Sequence, residues 1–282
     1  VILHPLWTTK KLYMKDKRIL YVSSEVIPYL PETEISSMSF EAPRMVNSNK
    51  GQIRIFMPRY GNINERRHQL HEVIRLSGMN LVINDMDVPL IIKVASIPKE
   101  RMQVYFIDNE DYFKRKATFS DEKGNFFSDN DERAIFFAKG VIETVKKLNW
   151  SPDIIHVHGW LASFLPLYLK KHYDKEPLFE NSKIVTSVYN QGFKGQLDAK
   201  VTDKIMFDGI EKEHIQELEE PDYINMMKIA IKNSDAIISG SEELPEELTN
   251  YLKELEMPML KYHKKEEFSS AYLDFYLNEV LS

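Results

Sequence analysis

The chain of 282 residues contains no cysteine, which excludes disulfide bonds and thiolate metal sites. Cysteine-free chains are typical of reducing compartments, so we expect a cytoplasmic protein. No apolar run approaches the roughly 18–20 residues that a membrane-spanning helix needs, so we expect no membrane partner. The 37 basic and 43 acidic residues give a formal net charge of −6, which argues against nucleic acid as a partner because polyanions select clustered lysine and arginine.

Glycine is also sparse, with 10 residues in the chain, and none lies in the turn after the first predicted strand at 18–23. Glycine-rich turns at such a position cradle phosphate with backbone N–H groups, because a missing side chain lets the backbone approach closely. Here the turn reads VIPYLPETEISSM, and its Glu32 and Glu34 carry negative charge that repels phosphate. The sequence therefore predicts no nucleotide site in this turn and no bound cofactor.

Strand-like and helix-like segments alternate along the chain. Further strands are predicted at 52–57, 154–157, 183–188 and 236–239, with a β-rich meander over 70–107. Helices are predicted over 36–49, with a kink or break at Pro43, over 130–148, and over 269–281. This alternation predicts an α/β fold with a doubly wound, mostly parallel sheet and a small β-rich insertion.

The segment 151–162, SPDIIHVHGWLA, runs from an apolar strand into a polar corner at His158 and Gly159. In α/β proteins ligands bind at the carboxyl ends of parallel strands, so this corner is a candidate site. His156 and His158 share one face of the strand and could bind one metal ion together. Zinc sites use three or four protein ligands, and no third one stands nearby, so we expect a core histidine, a pocket histidine and no metal.

Several motifs then occur in an order that resembles the glycogen and starch synthases. The corner resembles the family's D-x-x-H-x-H-D-W-H, QIRIFMPRYG at 52–61 resembles V-x-V-x-x-P-R-Y-G, and 129–137 resembles D-N-x-E-R-x-x-x-F. Similar likenesses occur in YFIDNEDYFKR at 105–115, VYNQGFKG at 188–195 and NMMKIAIKNSDAIISGS at 225–241. The chain is identified as a member of this family over about residues 17–250, because a chance α/β protein would not supply these motifs in this order.

The resemblance implies the GT-B fold, in which two Rossmann-like domains enclose a cleft. In that family the first domain mainly holds the acceptor glucan, and the second holds most of the sugar nucleotide. This chain resembles the first domain, and we expect the second to be absent. We divide it into an N-terminal extension (1–16), a Rossmann-like domain (17–255) and a C-terminal helical segment (256–282) that packs on the same domain.

The same alignment shows that the family's donor-site residues are replaced. The segment 24–38 aligns with S-E-x-x-P-x-x-K-x-G-G-L-x-D-V, whose lysine and glycines help to hold the ADP-glucose diphosphate. The substituted family positions are Pro31, Thr33, Glu34, Ser37, Gly159, Leu161 and Tyr189. No catalytic residue is therefore expected to be intact, and since loss of one such contact costs about 10²–10³-fold in rate, little transfer is expected.

The predicted function is binding of an α-glucan or maltooligosaccharide, or regulation of glycogen metabolism, by a catalytically degenerate domain. The candidate glucan-binding residues, which would hydrogen-bond to or stack on sugar, are Glu25, Asn130, Arg133, His158, Trp160, Tyr189, Asn190 and Lys194. One alternative is an active ADP-glucose:α-1,4-glucan glucosyltransferase, alone or with a separate donor domain. Another is an interaction subunit whose altered donor face, with Glu32, Glu34 and Met38, docks a protein partner.

Overall fold

The computed structural model describes residues 14–264 and 266–282, so most of the extension expected over 1–16 lies outside the described residues. The strands are β1 (Arg18–Ser23), β2 (Gln52–Pro58), β3 (His71–Glu72), β4 (Met79–Ile83), β5 (Met86–Ile97), β6 (Met102–Asp108), β7 (Ile154–His158), β8 (Lys183–Val188), β9 (Ala236–Ser239) and β10 (Met259–Leu260). The helices are α1 (Glu34–Ser48), α2 (Glu65–His68), α3 (Glu110–Phe113), α4 (Asn130–Leu148), α5 (Phe164–Lys171), α6 (Val201–Phe207), α7 (Tyr223–Lys232), α8 (Glu246–Lys253) and α9 (Phe268–Phe275).

These strands form one sheet in the order β10-β9-β8-β7-β1-β2-β6-β5-β3, with β4 paired to β5. Pairing is parallel from β10 to β6 and antiparallel where β3, β4 and β6 meet β5. The predicted doubly wound sheet with a small β-rich insertion is thereby confirmed. The chain winds outward from β1 in one direction and from β7 in the other, so the topological switch point lies between these two neighbours.

Helices cover both faces of the sheet, because right-handed crossovers that run in opposite directions put their helices on opposite faces. Helix α1 packs against α9 on one face, whereas α4 packs against α5 and α5 against α7 on the other. The central strands are buried on both sides, and all five residues of β7 are inaccessible to solvent. This explains their nearly continuous apolar sequences.

Helix α4 has the predicted bounds, and Ala134, Phe137, Val141 and Val145 form its buried stripe. Helix α1 differs from expectation, since it begins at Glu34 rather than residue 36. Thr33 and Ser36 form a reciprocal capping box, which fixes that start.

The break expected at Pro43 does not occur, and α1 continues to Ser48. Both Ala42 and Pro43 are buried, so packing of this helix face offsets the backbone hydrogen bond that proline removes.

The C-terminal segment folds onto the domain as helix α9 followed by a π-helical turn, Tyr276–Val280, where one regular helix was expected. The predicted apolar side is correct, because Tyr272, Phe275, Tyr276 and Val280 are all buried. Across residues 14–264 and 266–282, no helix combines the length and apolarity that crossing a membrane requires.

A buried ion pair joins the helical layer to the β-rich insertion. The Lys139 ammonium lies 2.5 Å from the Asp208 carboxylate and donates to the Val82 carbonyl at 2.8 Å. Tyr168 donates its hydroxyl to the other Asp208 oxygen at 2.6 Å. Both charged side chains are 7% exposed, so water compensates neither charge and each relies on its partner in the ion pair.

We expect Lys139→Met to lower the free energy of unfolding by about 3–5 kcal/mol, because it leaves the Asp208 carboxylate buried without its cation. Urea denaturation measures this loss. The matched control is Lys170→Met, which removes a half-exposed ion pair with Asp235 and should cost about 0–1 kcal/mol. Equal losses in the two variants would contradict the assignment.

Candidate functional site

The candidate site is the crevice at the carboxyl ends of β1 and β7. Ser23 pairs with His158 in register, and the Ser24 N–H donates to the His158 carbonyl at 3.0 Å. The next residue, Gly159, has φ +80° and ψ 153°, a conformation essentially restricted to glycine. A Cβ atom there would lie 2.0 Å from the Ser24 hydroxyl oxygen. An aspartate, which the family motif carries at this position, would require the backbone of the corner and the Ser24 side chain to shift.

His156 is a fully buried side chain whose two ring nitrogens are both hydrogen-bonded. Its Nδ1 lies 2.6 Å from the Tyr276 hydroxyl, and its Nε2 lies 2.7 Å from the Ser187 hydroxyl. Burial lowers the pKa of His156 well below its ordinary value, and neighbouring His158 lowers it further. His156 is thus a neutral residue of the core that joins the C-terminal turn to the sheet.

His158 lies beside it, with ring centroids 3.9 Å apart, and has one free nitrogen. Its Nδ1 is 2.7 Å from the Tyr189 hydroxyl, whereas its buried Nε2 has no hydrogen-bond partner among the described residues. Burial lowers the pKa of His158 to about 3, so the ring is neutral at physiological pH. A neutral imidazole with a free nitrogen can exchange a hydrogen bond with a ligand or water, but it supplies no positive charge.

Glu25 joins the turn after β1 to the loop after β8. Its carboxylate accepts a hydrogen bond from the Thr33 hydroxyl at 2.7 Å and another from the Gln191 side-chain amide at 3.1 Å. Burial raises the pKa of Glu25, and these two hydrogen bonds oppose that rise. Thr33, which replaces the first family glycine, is therefore tied down by Glu25.

Glu34, which replaces the second family glycine, is the first residue of α1. Its carboxylate accepts a hydrogen bond from the Ser241 hydroxyl, whose oxygen in turn accepts from the Asn190 N–H at 2.9 Å. A carboxylate at this end of a helix is favourable because of the helix dipole. An acidic side chain of the chain itself thus lies in the first turn of a helix whose N-terminus would otherwise favour a diphosphate.

Tyr189 and Leu161, which replace two family histidines, are both packed in the interior. Tyr189 is 1% exposed, and its ring lies so close to Gly240 that a Cβ atom there would be 2.3 Å away. Leu161 is fully buried beside the corner. Neither side chain can reach a ligand in the crevice without repacking.

Arg133 is fully buried and has no carboxylate partner among the described residues. It donates to the Asn130 side-chain oxygen, and its guanidinium lies 5.1–5.8 Å from the ring centroids of Tyr60, Phe113 and Phe127. Burial lowers the pKa of Arg133 to about 10. Because Asn130 also donates to the Phe119 carbonyl at 2.9 Å, these two residues hold the loop that follows α3.

The loop that follows α3 contributes Phe119 and Phe126 to an aromatic cluster. The centre of this cluster is Trp160, which is 2% exposed. The Trp160 ring centroid lies 4.7 Å from that of Phe119, 5.7 Å from Phe126 and 4.8 Å from Phe193. Phe126 and Phe193 stack on each other at 4.8 Å with an interplanar angle of 17°. These three phenylalanines are half-buried, so we name them the aromatic platform.

The platform includes two residues that sequence reasoning missed. Phe119 and Phe126 lie in the polar stretch between α3 and α4, in which no site residue was predicted from the sequence. Their only sequence signal is the presence of aromatics just before the D-N-x-E-R motif.

The structure places the eight candidate residues in two groups. Buried candidates are Glu25, Asn130, Arg133, His158, Trp160 and Tyr189, and exposed candidates are Asn190 and Lys194. The buried residues hold the crevice walls and the platform in position, whereas the exposed pair flank Phe193 in sequence and are accessible to a ligand.

No metal centre forms at this crevice from the residues that the structure describes. The one described group of three suitable ligands is Glu211, Glu213 and His214, which lies on a short helical turn outside the crevice. His156 and His158 are instead hydrogen-bonded to hydroxyl groups.

The mostly parallel sheet with helices on both faces matches the GT-B glycosyltransferase fold. Residues 18–259 match the starch synthase catalytic domain family, and the chain belongs to that family. It is 35% identical to the glycogen synthase of Chlorobium luteolum over 229 residues, covering 81% of this chain and 46% of that protein. It is 35% identical to the glycogen synthase of Chlorobaculum parvum, covering 84% and 48%.

A solved structure shows the same fold. The catalytic domain of starch synthase IV from Arabidopsis thaliana, bound to ADP and acarbose, superposes with a TM-score of 0.64 at 16% identity, covering 79% of this chain and 45% of that one. The chain thus spans about half the length of the curated relatives and of the solved structure that it matches.

The neutral His158 predicts a specific dependence of stability on pH. Between about pH 6.5 and pH 3 the unfolded histidine binds a proton and the folded one does not, so stability falls as the pH falls through this window. The expected slope from His158 alone is up to about 1.4 kcal/mol per pH unit. Urea unfolding at pH 7, 6, 5 and 4 measures it.

We expect His158→Gln to flatten this profile relative to the unsubstituted chain, because the variant lacks the titrating group. The control is His71→Gln at an exposed position away from the crevice, which should retain the slope that His158 produces. Parallel profiles for the unsubstituted chain and the His158 variant would show that this histidine is not held neutral.

Proposed function

We propose that this chain is an acceptor-side glycogen/starch synthase domain that binds α-glucan and has lost sugar transfer. The observation that carries this proposal is that several of the seven replaced donor positions are hydrogen-bonded to other side chains of the chain. Thr33 bonds to Glu25, Glu34 bonds to Ser241 and Tyr189 bonds to His158. These contacts hold the three replacements in place along the crevice.

The charge of the donor face opposes a nucleotide diphosphate. A cavity of about 380 Å³ at this face is lined by Glu32, Glu34 and Glu41, and no lysine or arginine among the described residues lines it. The family lysine is Pro31 in this chain. Like charges repel strongly at such a partly desolvated site, so ADP-glucose should bind weakly.

A neutral glucan meets no such barrier, and the aromatic platform provides a surface for it. Half-buried aromatic rings offer apolar faces that pack against the C–H faces of sugars. Phe126 and Phe193 are already stacked and supported from beneath by Trp160. The exposed Asn190 and Lys194 lie within three residues of Phe193 in the sequence. They supply polar groups that can hydrogen-bond to sugar hydroxyls.

Family membership supports the ligand class. The curated relatives are glycogen synthases, and the solved catalytic domain of Arabidopsis starch synthase IV is a complex with ADP and acarbose. The buried candidates Asn130 and Arg133 would act as positioning residues, because they hold the loop that carries Phe119.

Phe193→Ala should weaken maltoheptaose binding about fivefold or more, which corresponds to loss of about 1 kcal/mol of ring contact. Isothermal titration calorimetry measures the dissociation constant. The matched control is Phe207→Ala, which removes a ring that is 56% exposed and outside the platform. Absence of binding to maltoheptaose and glycogen at millimolar ligand would refute glucan binding and favour the interaction-subunit interpretation.

The loss of transfer is tested separately. With radiolabelled ADP-glucose and glycogen, we expect no incorporation of glucose above a heat-denatured control. Addition of the separately expressed donor half of a relative should not restore it, because the acceptor-side donor contacts are also replaced. Incorporation in either assay would overturn the proposed loss of activity and support the active glucosyltransferase.

A further inference from the structure

A second cavity, distinct from the crevice, opens beside the carboxyl end of β9. It has a volume of about 690 Å³ and lies between α8 and the segment that leads from β10 into α9. Volumes of this size are typical of small-molecule sites. Ser241, the partner of Glu34, also lines this cavity, but none of the candidate glucan-binding residues and no residue of the aromatic platform does.

Its walls combine positive charge, hydroxyl groups and an apolar side. Three exposed lysines, Lys253, Lys261 and Lys264, line one concave surface, and the Lys253 ammonium donates to the Asn250 side-chain oxygen at 3.3 Å. Ser239, Ser241 and Thr249 supply hydroxyls, and the apolar part is formed by Leu244, Leu252 and Met259.

The positive charge is not neutralised within the described residues. None of the three lysines lies within 4.0 Å of a carboxylate there, whereas buried Lys139 and Lys204 are both paired with aspartate. Two carboxylates, Glu242 and Glu267, also line the cavity, and Glu267 lies 3.9 Å from the His263 ring. The walls therefore carry a net positive charge in a chain whose formal net charge is −6.

We propose that this cavity binds a small phosphorylated sugar. Lysine ammonium groups are point charges that bind phosphate, and relief of their mutual repulsion favours an anion. The hydroxyl side chains can hydrogen-bond to the hydroxyl groups of a sugar, and the apolar side can pack against the face of its ring. Inorganic phosphate has no sugar ring and would use neither part of the wall.

Ser241 connects this cavity to the crevice. Its side chain lines the cavity, and the same hydroxyl oxygen accepts the Asn190 N–H at 2.9 Å and donates to Glu34. A ligand that contacts Ser241 in the cavity is therefore linked through this one side chain to Asn190 in the loop after β8. Binding there should shift the Asn190 and Ser241 amide resonances, whereas diffuse attraction to surface lysines should not.

The test is titration of the ¹⁵N-labelled chain with glucose 1-phosphate, glucose and inorganic phosphate. We expect saturable shifts that include Asn190 and Ser241 with glucose 1-phosphate, binding at least tenfold weaker with inorganic phosphate, and no saturation with glucose. Equal affinity for glucose 1-phosphate and phosphate would overturn the sugar assignment. No saturable shift at 10 mM glucose 1-phosphate would overturn the site.

Charge removal locates the ligand. The double variant Lys261→Gln/Lys264→Gln should weaken glucose 1-phosphate binding at least tenfold, and Lys171→Gln/Lys175→Gln, at exposed lysines outside the cavity, should leave it unchanged. Equal losses in both variants would show non-specific attraction. Because Phe193→Ala should affect maltoheptaose alone, failure of this site and failure of glucan binding are distinguishable.

Discussion

The close approach of β1 and β7 at their carboxyl ends is the constraint on which the rest of the site depends. The hydrogen bond from the Ser24 N–H to the His158 carbonyl brings the two strand ends together. With the Ser24 hydroxyl 2.0 Å from where a Cβ of Gly159 would stand and φ of this residue at +80°, the observed conformation of the corner favours glycine. That turn sets the direction of the chain into Trp160, and so fixes both His158 in the crevice and the tryptophan beneath the aromatic platform.

The replacements at the donor positions form a set of compatible contacts. Polar side chains at Thr33, Glu34 and Tyr189 each have a partner in the crevice, and such contacts contribute stability that would be lost if one partner were changed alone. A family site that loses selection for catalysis accumulates changes without requiring them to match. The observed pairing holds the crevice in one folded conformation, as the proposed binding role requires.

Much of the fold follows from sequence pattern. The short apolar runs predict buried strands, the helical periodicity of residues 130–148 predicts α4, and the alternation of strands with helices predicts a parallel sheet. The start of α1 was missed because the capping box of Thr33 and Ser36 is a side-chain effect, and its passage through Pro43 depends on tertiary burial. For the site, the motifs identify which residues lie near the crevice but not which way each side chain points. Arg133 and Trp160 are therefore buried where contact with sugar was expected, and the stack of Phe126 on Phe193 joins two loops that no local pattern relates.

The hydrogen bond between Tyr276 and His156 has a consequence for biosynthesis. The Tyr276 hydroxyl also lies 3.5 Å from the Tyr21 hydroxyl. The π-helical turn Tyr276–Val280 therefore contacts both β1 and β7 at the centre of the sheet. A nascent chain that has released all of the strands still lacks the hydroxyl that satisfies the buried imidazole. The sheet core therefore reaches its final packing only after the ribosome has released Tyr276, which lies 255 residues beyond Tyr21, its partner in β1.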